Sequence, residues 1–172
     1  MMNSQNGGTE RIGDAQVSKR FSDGAVIVRT EQLPWMPWAA PGTYCKVLHM
    51  DMSHAKTTLM IKVDPNTPLG QHQHLGDAEA YLLEGDFVYE HGGGEAGDYL
   101  CEQGGIAHVP KTGAKGLVLF GMNYGTLHGF DEQGQLAGVI DNAFYYSVAE
   151  QHGLHAHLSS SARTRNLTEA TA

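Results

Sequence analysis

The sequence contains few cysteines, few basic residues and no long apolar run. Its 2 cysteines, Cys45 and Cys101, show neither metal-binding spacing nor a disulfide framework. Only 11 Lys and Arg stand against 19 Asp and Glu, and the net charge of -8 argues against partners such as nucleic acid or an anionic membrane. No apolar stretch of about 18 residues predicts a membrane span, and the start is polar, unlike a secretory signal. We therefore expect a soluble, cytoplasmic protein that binds a small molecule.

Glycine and histidine are abundant, with 22 and 10 residues. A chain of 172 residues with 41% hydrophobic content suits one domain with one core. Short apolar or alternating runs recur between turn-forming residues, for example on either side of Glu84-Gly85-Asp86, where the pattern predicts a turn. The runs are 25–29, 44–50, 57–63, 80–83, 87–89, 99–101, 116–120 and 136–140. They predict an all-β antiparallel sandwich or barrel and not alternating β-α-β units.

The two ends of the chain differ from its middle. Residues 1–22 and 159–172 lack periodic hydrophobicity, and we expect both segments to be flexible. Residues 23–141 contain the predicted strands and form the expected barrel. In the remaining segment, 142–158, Asn142 suits a helix cap and Gly153 a helix stop, which predicts one short C-terminal helix.

The candidate chemistry centres on histidines. His72 and His74 flank Gln73 in a segment predicted to be a strand, and residues two apart on a strand face the same side. A helix would instead point them about 200° apart. A third ligand must come from another strand, and His108 is the best candidate because residues 97–108 suggest a strand, a Gly-Gly turn and a new strand start. The alternative interpretation is that His72 and His74 are two polar residues on the protein surface.

The histidine spacing resembles the two motifs of the cupin superfamily. The first motif is matched by His72, His74 and Gly85, with Asn66 in place of its leading glycine. The second motif is matched by Gly97, Gly105 and His108, whereas Gln103 replaces its proline and Thr112 its asparagine. The resemblance implies a single cupin barrel, also called a double-stranded β-helix or jelly roll. It also implies that His72, His74 and His108 are the metal ligands.

The glutamate of the first cupin motif has no direct counterpart. Ala78 occupies its position, and Glu79 follows one residue later. A shift of one residue along a strand points a side chain to the opposite face, so Glu79 should miss the metal unless a β-bulge re-aims it. We therefore expect three neutral imidazoles without a carboxylate, and Glu79 stays the alternative fourth ligand.

Three imidazoles can hold Fe, Zn, Ni, Mn or Cu, and affinity order alone does not select among them. Because no ligand is anionic, the ion would keep its full dipositive charge. Such a site favours an anionic bidentate substrate, such as the enolate of a dicarbonyl or hydroxyketone.

A narrower resemblance is to the cupins typified by 2,4'-dihydroxyacetophenone dioxygenase, with acetylacetone dioxygenase more distant. It is carried by the segments 35–42, 62–65, 72–76, 81–85 and 96–99. It implies Fe(II) held by His72, His74 and His108, a ketone substrate, O₂, and cleavage of the carbon-carbon bond beside the carbonyl. It also implies a homodimer.

A different class of function remains open. The chain is also similar to the zinc-holding, non-catalytic cupin domains of anti-sigma factors, although the substitution at Ala78 weakens their histidine-and-glutamate ligand pattern. Several aromatic and methionine residues can either line the metal site or belong to the barrel core and a dimer interface. They are Trp35, Trp38, Tyr44, Met60, Phe87, Met122 and Tyr124.

Overall fold

A computed structural model describes residues 17–158 of the chain. The described part is mostly β-strand, with one α-helix and two short 3-10 turns at Thr30–Gln32 and Met52–His54. The strands are β1 (Ser18–Arg20), β2 (Val26–Val28), β3 (Met36–Pro37), β4 (Thr43–Asp51), β5 (Lys56–Val63), β6 (His72–His74), β7 (Ala78–Tyr89), β8 (Gly92–Glu95), β9 (Tyr99–Glu102), β10 (Ala107–His108), β11 (Lys111–Tyr124), β12 (Leu127–Phe130) and β13 (Leu136–Ile140). The helix is α1 (Asn142–Gln151).

Two main sheets enclose the interior. The larger has seven strands, in the order β3-β4-β5-β11-β7-β8 with β9 also paired to β7, and the smaller has the order β10-β6-β12-β13. Each pairing is antiparallel, and a separate hairpin joins β1 to β2. This arrangement confirms the predicted all-β antiparallel barrel with a short C-terminal helix.

The period of two residues along each strand separates inside from outside. In β5, Thr57, Leu59 and Val63 are buried, whereas Thr58, Met60 and Lys62 between them are only half-buried. Burying one face of each strand removes its apolar side chains from water and leaves the other face on the surface of the sheet. The same alternation decides which side chains reach the interior cavity.

One predicted turn is absent. The Glu84-Gly85-Asp86 triplet lies inside the continuous strand β7, so the expectation of two strands separated by a turn was wrong. Gly85 accommodates the irregularity because its φ is +78°, a conformation that glycine adopts without strain. The pairing of β7 with β11 shifts register on either side of this region, as at a β-bulge.

The helix closes one end of the barrel core. The Phe144 backbone N–H donates to the Asp141 carboxylate at 2.9 Å, which caps the first turn. Tyr145, Tyr146 and Ala149 are buried in a core cluster shared with strand residues. The helix ends at Gln151, before the expected Gly153, and Gly153 follows in a left-handed turn with φ +68°.

Two of the expected segments extend beyond the described residues. Residues 1–16 and 159–172 lie outside them, so flexibility there stays a prediction. Strand β1 falls within the first expected segment and pairs with β2. Between residues 17 and 158, no helix combines the length and apolar character that crossing a bilayer requires.

Candidate metal centre

The three predicted histidines come together between β6 and β10. His72 and His74 lie on β6, and His108 pairs directly with His72 across the two strands. One ring nitrogen from each of the three lies within 4.8 Å of the others. The closest pair is His72 Nε2 and His108 Nε2, at 2.9 Å. The arrangement presents three imidazole nitrogens to a single point, which is what a shared metal ion requires.

Backbone contacts orient the His72 ring. Its Nδ1 lies 3.1 Å from the carbonyl oxygen of Gly70. Because a carbonyl only accepts, Nδ1 must carry the proton, and Nε2 is then the ring atom with the free lone pair. A contact of this kind presets the tautomer that a metal ligand needs.

Burial keeps the three rings neutral. It is the largest cause that lowers the pKa of His72, with the neighbouring His108 acting in the same direction. Burial, followed by His72 and His108, lowers the pKa of His74 to about 3. Burial also lowers the pKa of His108, against an opposing contribution from Glu90. Neutral imidazoles are the form that binds metals, so the site holds its ligands ready without prior deprotonation.

A carboxylate that the sequence analysis did not select lies beside the histidines. Glu102 Oε2 is 3.4 Å from His74 Nε2, and Glu102 Oε1 is 3.5 Å from His108 Nε2. The Tyr89 hydroxyl donates to Glu102 Oε1 at 2.9 Å, and the Tyr89 ring stacks on His108. Burial raises the pKa of Glu102, and the Tyr89 hydrogen bond opposes this rise. The residues grouped around the shared point are the three imidazoles only, with one carboxyl group beside them, and a ligand set without a carboxylate stays a prediction.

Glu79 lies elsewhere. It borders the cavity, but the buried Ala78 and Leu82 mark the inner face of β7, and Glu79 alternates with them. Its cross-strand partner on β9 is the exposed Cys101, and directly paired residues share a face. Glu79 is not one of the residues grouped around the shared point.

A local signal for Glu102 existed in the sequence. In β9, the exposed Tyr99 and Cys101 alternate with the half-buried Leu100 and Glu102, so a glutamate occupies an inward position. An ionisable residue on the inner face of a barrel strand is a functional candidate. That signal becomes specific only when the strand's pairing places it near the histidines.

His72 and His74 border an apolar cavity of about 370 Å³ between the two sheets. Its apolar walls come from both sheets and the helix, and include Trp38, Leu59, Ile61, Phe87, Leu100, Leu119, Leu127 and Phe144. Its polar groups include His72, His74, Glu102, Tyr89 and Asn123. An apolar pocket with a few convergent polar groups is the usual form of a small-molecule site.

Of the seven aromatic and methionine residues that could line the site or belong to the core and an interface, only two face this cavity. Trp38 and Phe87 border it. Met60 and Met122 do not, because they alternate with the inward-facing residues of β5 and β11. Tyr44, Tyr124 and Trp35 are likewise absent from its walls.

The donor set fits a first-row transition metal. Imidazole suits Fe, Zn, Ni and Cu, and an added carboxylate oxygen also suits Fe and Mn. A cluster of three neutral, buried imidazoles therefore could hold a metal ion, but its chemistry does not select one element.

Solved structures share this architecture. A candidate acetylacetone dioxygenase from Methylibium petroleiphilum has a TM-score of 0.65 and 19% identity, covering 76% of this chain and 94% of its own. The acetylacetone dioxygenase of Acinetobacter johnsonii has a TM-score of 0.59 and 17% identity, covering 90% and 95%. An RmlC-like cupin from Ralstonia eutropha has a TM-score of 0.64 and 20% identity, covering 72% and 86%. At these identities the likeness shows a shared fold.

Family membership follows from the sequence match. No curated protein matches the chain. The pattern of the ChrR cupin-like domain matches residues 23–128, more than half of the 172 residues. This range contains all three clustered histidines and Glu102. The chain belongs to the ChrR cupin-like domain family of the cupin superfamily.

Proposed function

We propose that the protein is a cupin-type Fe(II) dioxygenase that cleaves the carbon-carbon bond beside a carbonyl in a small hydroxyketone or β-diketone. The observation that carries the proposal is a cluster of three neutral imidazoles, two of which, His72 and His74, line a large apolar cavity. A structural metal site does not require an adjacent cavity, whereas a catalytic site needs one for its substrate. The 2,4'-dihydroxyacetophenone dioxygenase resemblance and the cytoplasmic location belong to this proposal.

His72, His74 and His108 would hold the metal, which when bound supplies open coordination positions for a chelating substrate and O₂ together with one-electron chemistry. A ketone with a neighbouring carbonyl or hydroxyl becomes electron-rich only after it loses a proton. Glu102 is placed to accept that proton from the substrate, because its carboxylate borders the same cavity. The Tyr89 hydroxyl donates to Glu102 Oε1 and holds the carboxyl group in place.

The cavity walls indicate which substrates fit. Among the described residues, no lysine or arginine lines the cavity, so a carboxylate remote from the metal would have no ionic partner. The aromatic and aliphatic walls suit an uncharged hydrocarbon or aryl group instead. They also exclude water from the reacting atoms. We therefore propose neutral ketones that become anionic only at the chelating end.

The test is anaerobic loading with Fe(II), followed by oxygen-electrode assays with β-diketones and aryl hydroxyketones. His108→Ala should abolish both tight iron binding and O₂ uptake. His128→Ala is the matched control, because His128 pairs with the outward-facing Gln73 and lies outside the cluster. Stoichiometric O₂ consumption would support the proposal if a hydroxyketone gives two carboxylic acids, or a β-diketone gives one carboxylic acid and one 2-oxoaldehyde. Unchanged turnover in His108→Ala would refute it.

A second candidate is a non-catalytic zinc domain, which the match to the ChrR cupin-like family supports. Glu102 lies 3.4 Å from His74 and 3.5 Å from His108, although it is not one of the three residues grouped around the shared point. In the zinc domain it would move in to complete the closed four-donor shell of structural zinc sites. Purification without added metal separates the two candidates. Full zinc occupancy with no O₂ uptake on any ketone favours the zinc domain.

A further inference from the structure

The outer face of the seven-stranded sheet carries a continuous apolar row. Met60 on β5 pairs with Phe120 on β11, Phe120 pairs with Tyr81 on β7, and Tyr81 pairs with Tyr99 on β9. Directly paired residues share a face, so these four side chains cross four neighbouring strands in one line. Phe120, Tyr81 and Tyr99 are 37%, 47% and 64% exposed. A contiguous apolar patch of this kind marks an interaction surface.

On the β4 side, the row ends where the segment containing Thr30 and Trp35 covers the outer face of the sheet. Lys46 on β4 pairs with Met60 but is only 5% exposed, because its Nζ donates to the Thr30 carbonyl oxygen and lies over the Trp35 ring. The open surface is therefore centred on β11, with β5 on one side and β7 on the other. We name this surface, comprising Met60, Lys62, Tyr81, Glu84, Val118 and Phe120, the β11 face.

Charges on the β11 face are arranged symmetrically about β11. In the row beside the apolar one, Val118 on β11 pairs with Lys62 on β5 and with Glu84 on β7. The basic and acidic residues thus occupy equivalent positions on the two strands that flank β11. Lys62 also lies over the Tyr44 ring, with its Nζ 5.5 Å from the ring centroid, and Glu84 is exposed.

We propose that the β11 face is the interface of a homodimer, with the two-fold axis running parallel to β11. Such an axis exchanges the two sides of β11, so that β5 of one protomer faces β7 of the other at the same row. Phe120 then meets its own copy, Met60 meets the partner's Tyr81, and Lys62 meets the partner's Glu84. An axis perpendicular to β11 would place β5 against β5 and lose the Lys62 and Glu84 pairing. The charge pattern therefore favours a second copy of this chain as the occupant.

The first experiment measures mass in solution by sedimentation velocity over a range of protein concentrations. The wild-type chain should sediment as a dimer of the 18.6 kDa protomer. Phe120→Lys should raise the dimer dissociation constant by about 100-fold, because it buries two like charges at the centre of the contact. Leu136→Lys is the control, since Leu136 is 55% exposed on β13 of the other sheet. Circular dichroism and bound metal should be unchanged in both variants.

A second experiment tests the axis. Lys62→Glu and Glu84→Lys each place two pairs of like charges across the interface, and each should weaken the homodimer by about tenfold. An equimolar mixture of the two variants should restore wild-type affinity, because both contacts in the heterodimer then join opposite charges. Salt should reduce both effects.

Each outcome decides the proposal. A wild-type monomer at all concentrations overturns it, as does a Phe120→Lys variant that dimerises like the wild type, which would point to another face. Single charge variants that weaken the dimer without recovery in the mixture overturn the axis along β11. The proposal does not depend on the metal centre, since the β11 face lies on the opposite side of the sheet from the cavity.

Discussion

At the scale of single residues, two glutamates on the paired strands β7 and β9 have different environments. Glu102 contacts the histidine cluster, whereas Glu79 shares the outer face of its sheet with Cys101. Under the proposed function, Glu102→Gln removes the proton acceptor with little change in shape and should lower kcat about 100-fold. Metal content, measured by elemental analysis, should stay near stoichiometric. Glu79→Gln is the matched control and should keep both kcat and metal content; a comparable loss in this variant would show that Glu79 participates.

His74 makes the stability of the metal-free protein depend on pH. Burial lowers its folded pKa to about 3, below the value of about 6.5 in an unfolded chain. Between these pH values His74 is protonated in the unfolded chain and neutral in the folded protein. The free energy of unfolding therefore falls as pH decreases from about 6.5 towards 3. Urea unfolding of metal-free protein at a series of pH values measures this. His74→Gln should make the dependence shallower, because His72 and His108 still contribute to it, whereas His128→Gln, outside the cluster, should leave it unchanged.

At the scale of elements, the connection between β6 and β7 depends on a close backbone approach. A Cβ at Gly76 would overlap the Tyr124 carbonyl oxygen, which is backbone and has little room to move. Gly76→Ala should therefore destabilise the protein by about 3 kcal/mol and weaken metal binding, because Gly76 follows closely after His74. The control is Gly138→Ala, where an added Cβ meets nothing within 4 Å. Urea midpoints that are equal for the two variants would contradict this account.

Local sequence patterns were sufficient to predict some of the secondary-structure elements. Alternation in residues 57–63 predicted a strand that the structure shows as β5, and the segment from Asn142 predicted α1. The predicted cap was wrong by one residue, because Asp141 caps the helix and Asn142 is its first residue. The interior of β7 was not predictable in this way. Glu84-Gly85-Asp86 has turn composition, but pairing with β11 on one side and β8 on the other keeps it extended. Tertiary hydrogen bonding therefore overrode the local preference.

At the scale of the whole molecule, metal binding and folding are coupled. The histidines converge only when β6 and β10 pair, so a metal that binds this cluster stabilises the folded state alone. At 100 times its dissociation constant, a bound ion contributes about 2.7 kcal/mol. Thermal unfolding with and without anaerobic Fe(II) should show a higher Tm with metal. His108→Ala should abolish that shift and His128→Ala should preserve it; an equal shift in both would place the metal elsewhere.

The sequence by itself determined the all-β class and the shared face of His72 and His74, because side-chain alternation is a local property of a strand. It also indicated His108, first from the predicted strand start after a Gly-Gly turn and then from the resemblance to cupins, although the role of all three as ligands stays a prediction. Tertiary structure alone decided that Glu102 and not Glu79 lies beside them, and that Met60, Phe120 and Tyr81 form one row. Strand register brings together residues far apart in the chain, and no local pattern specifies it.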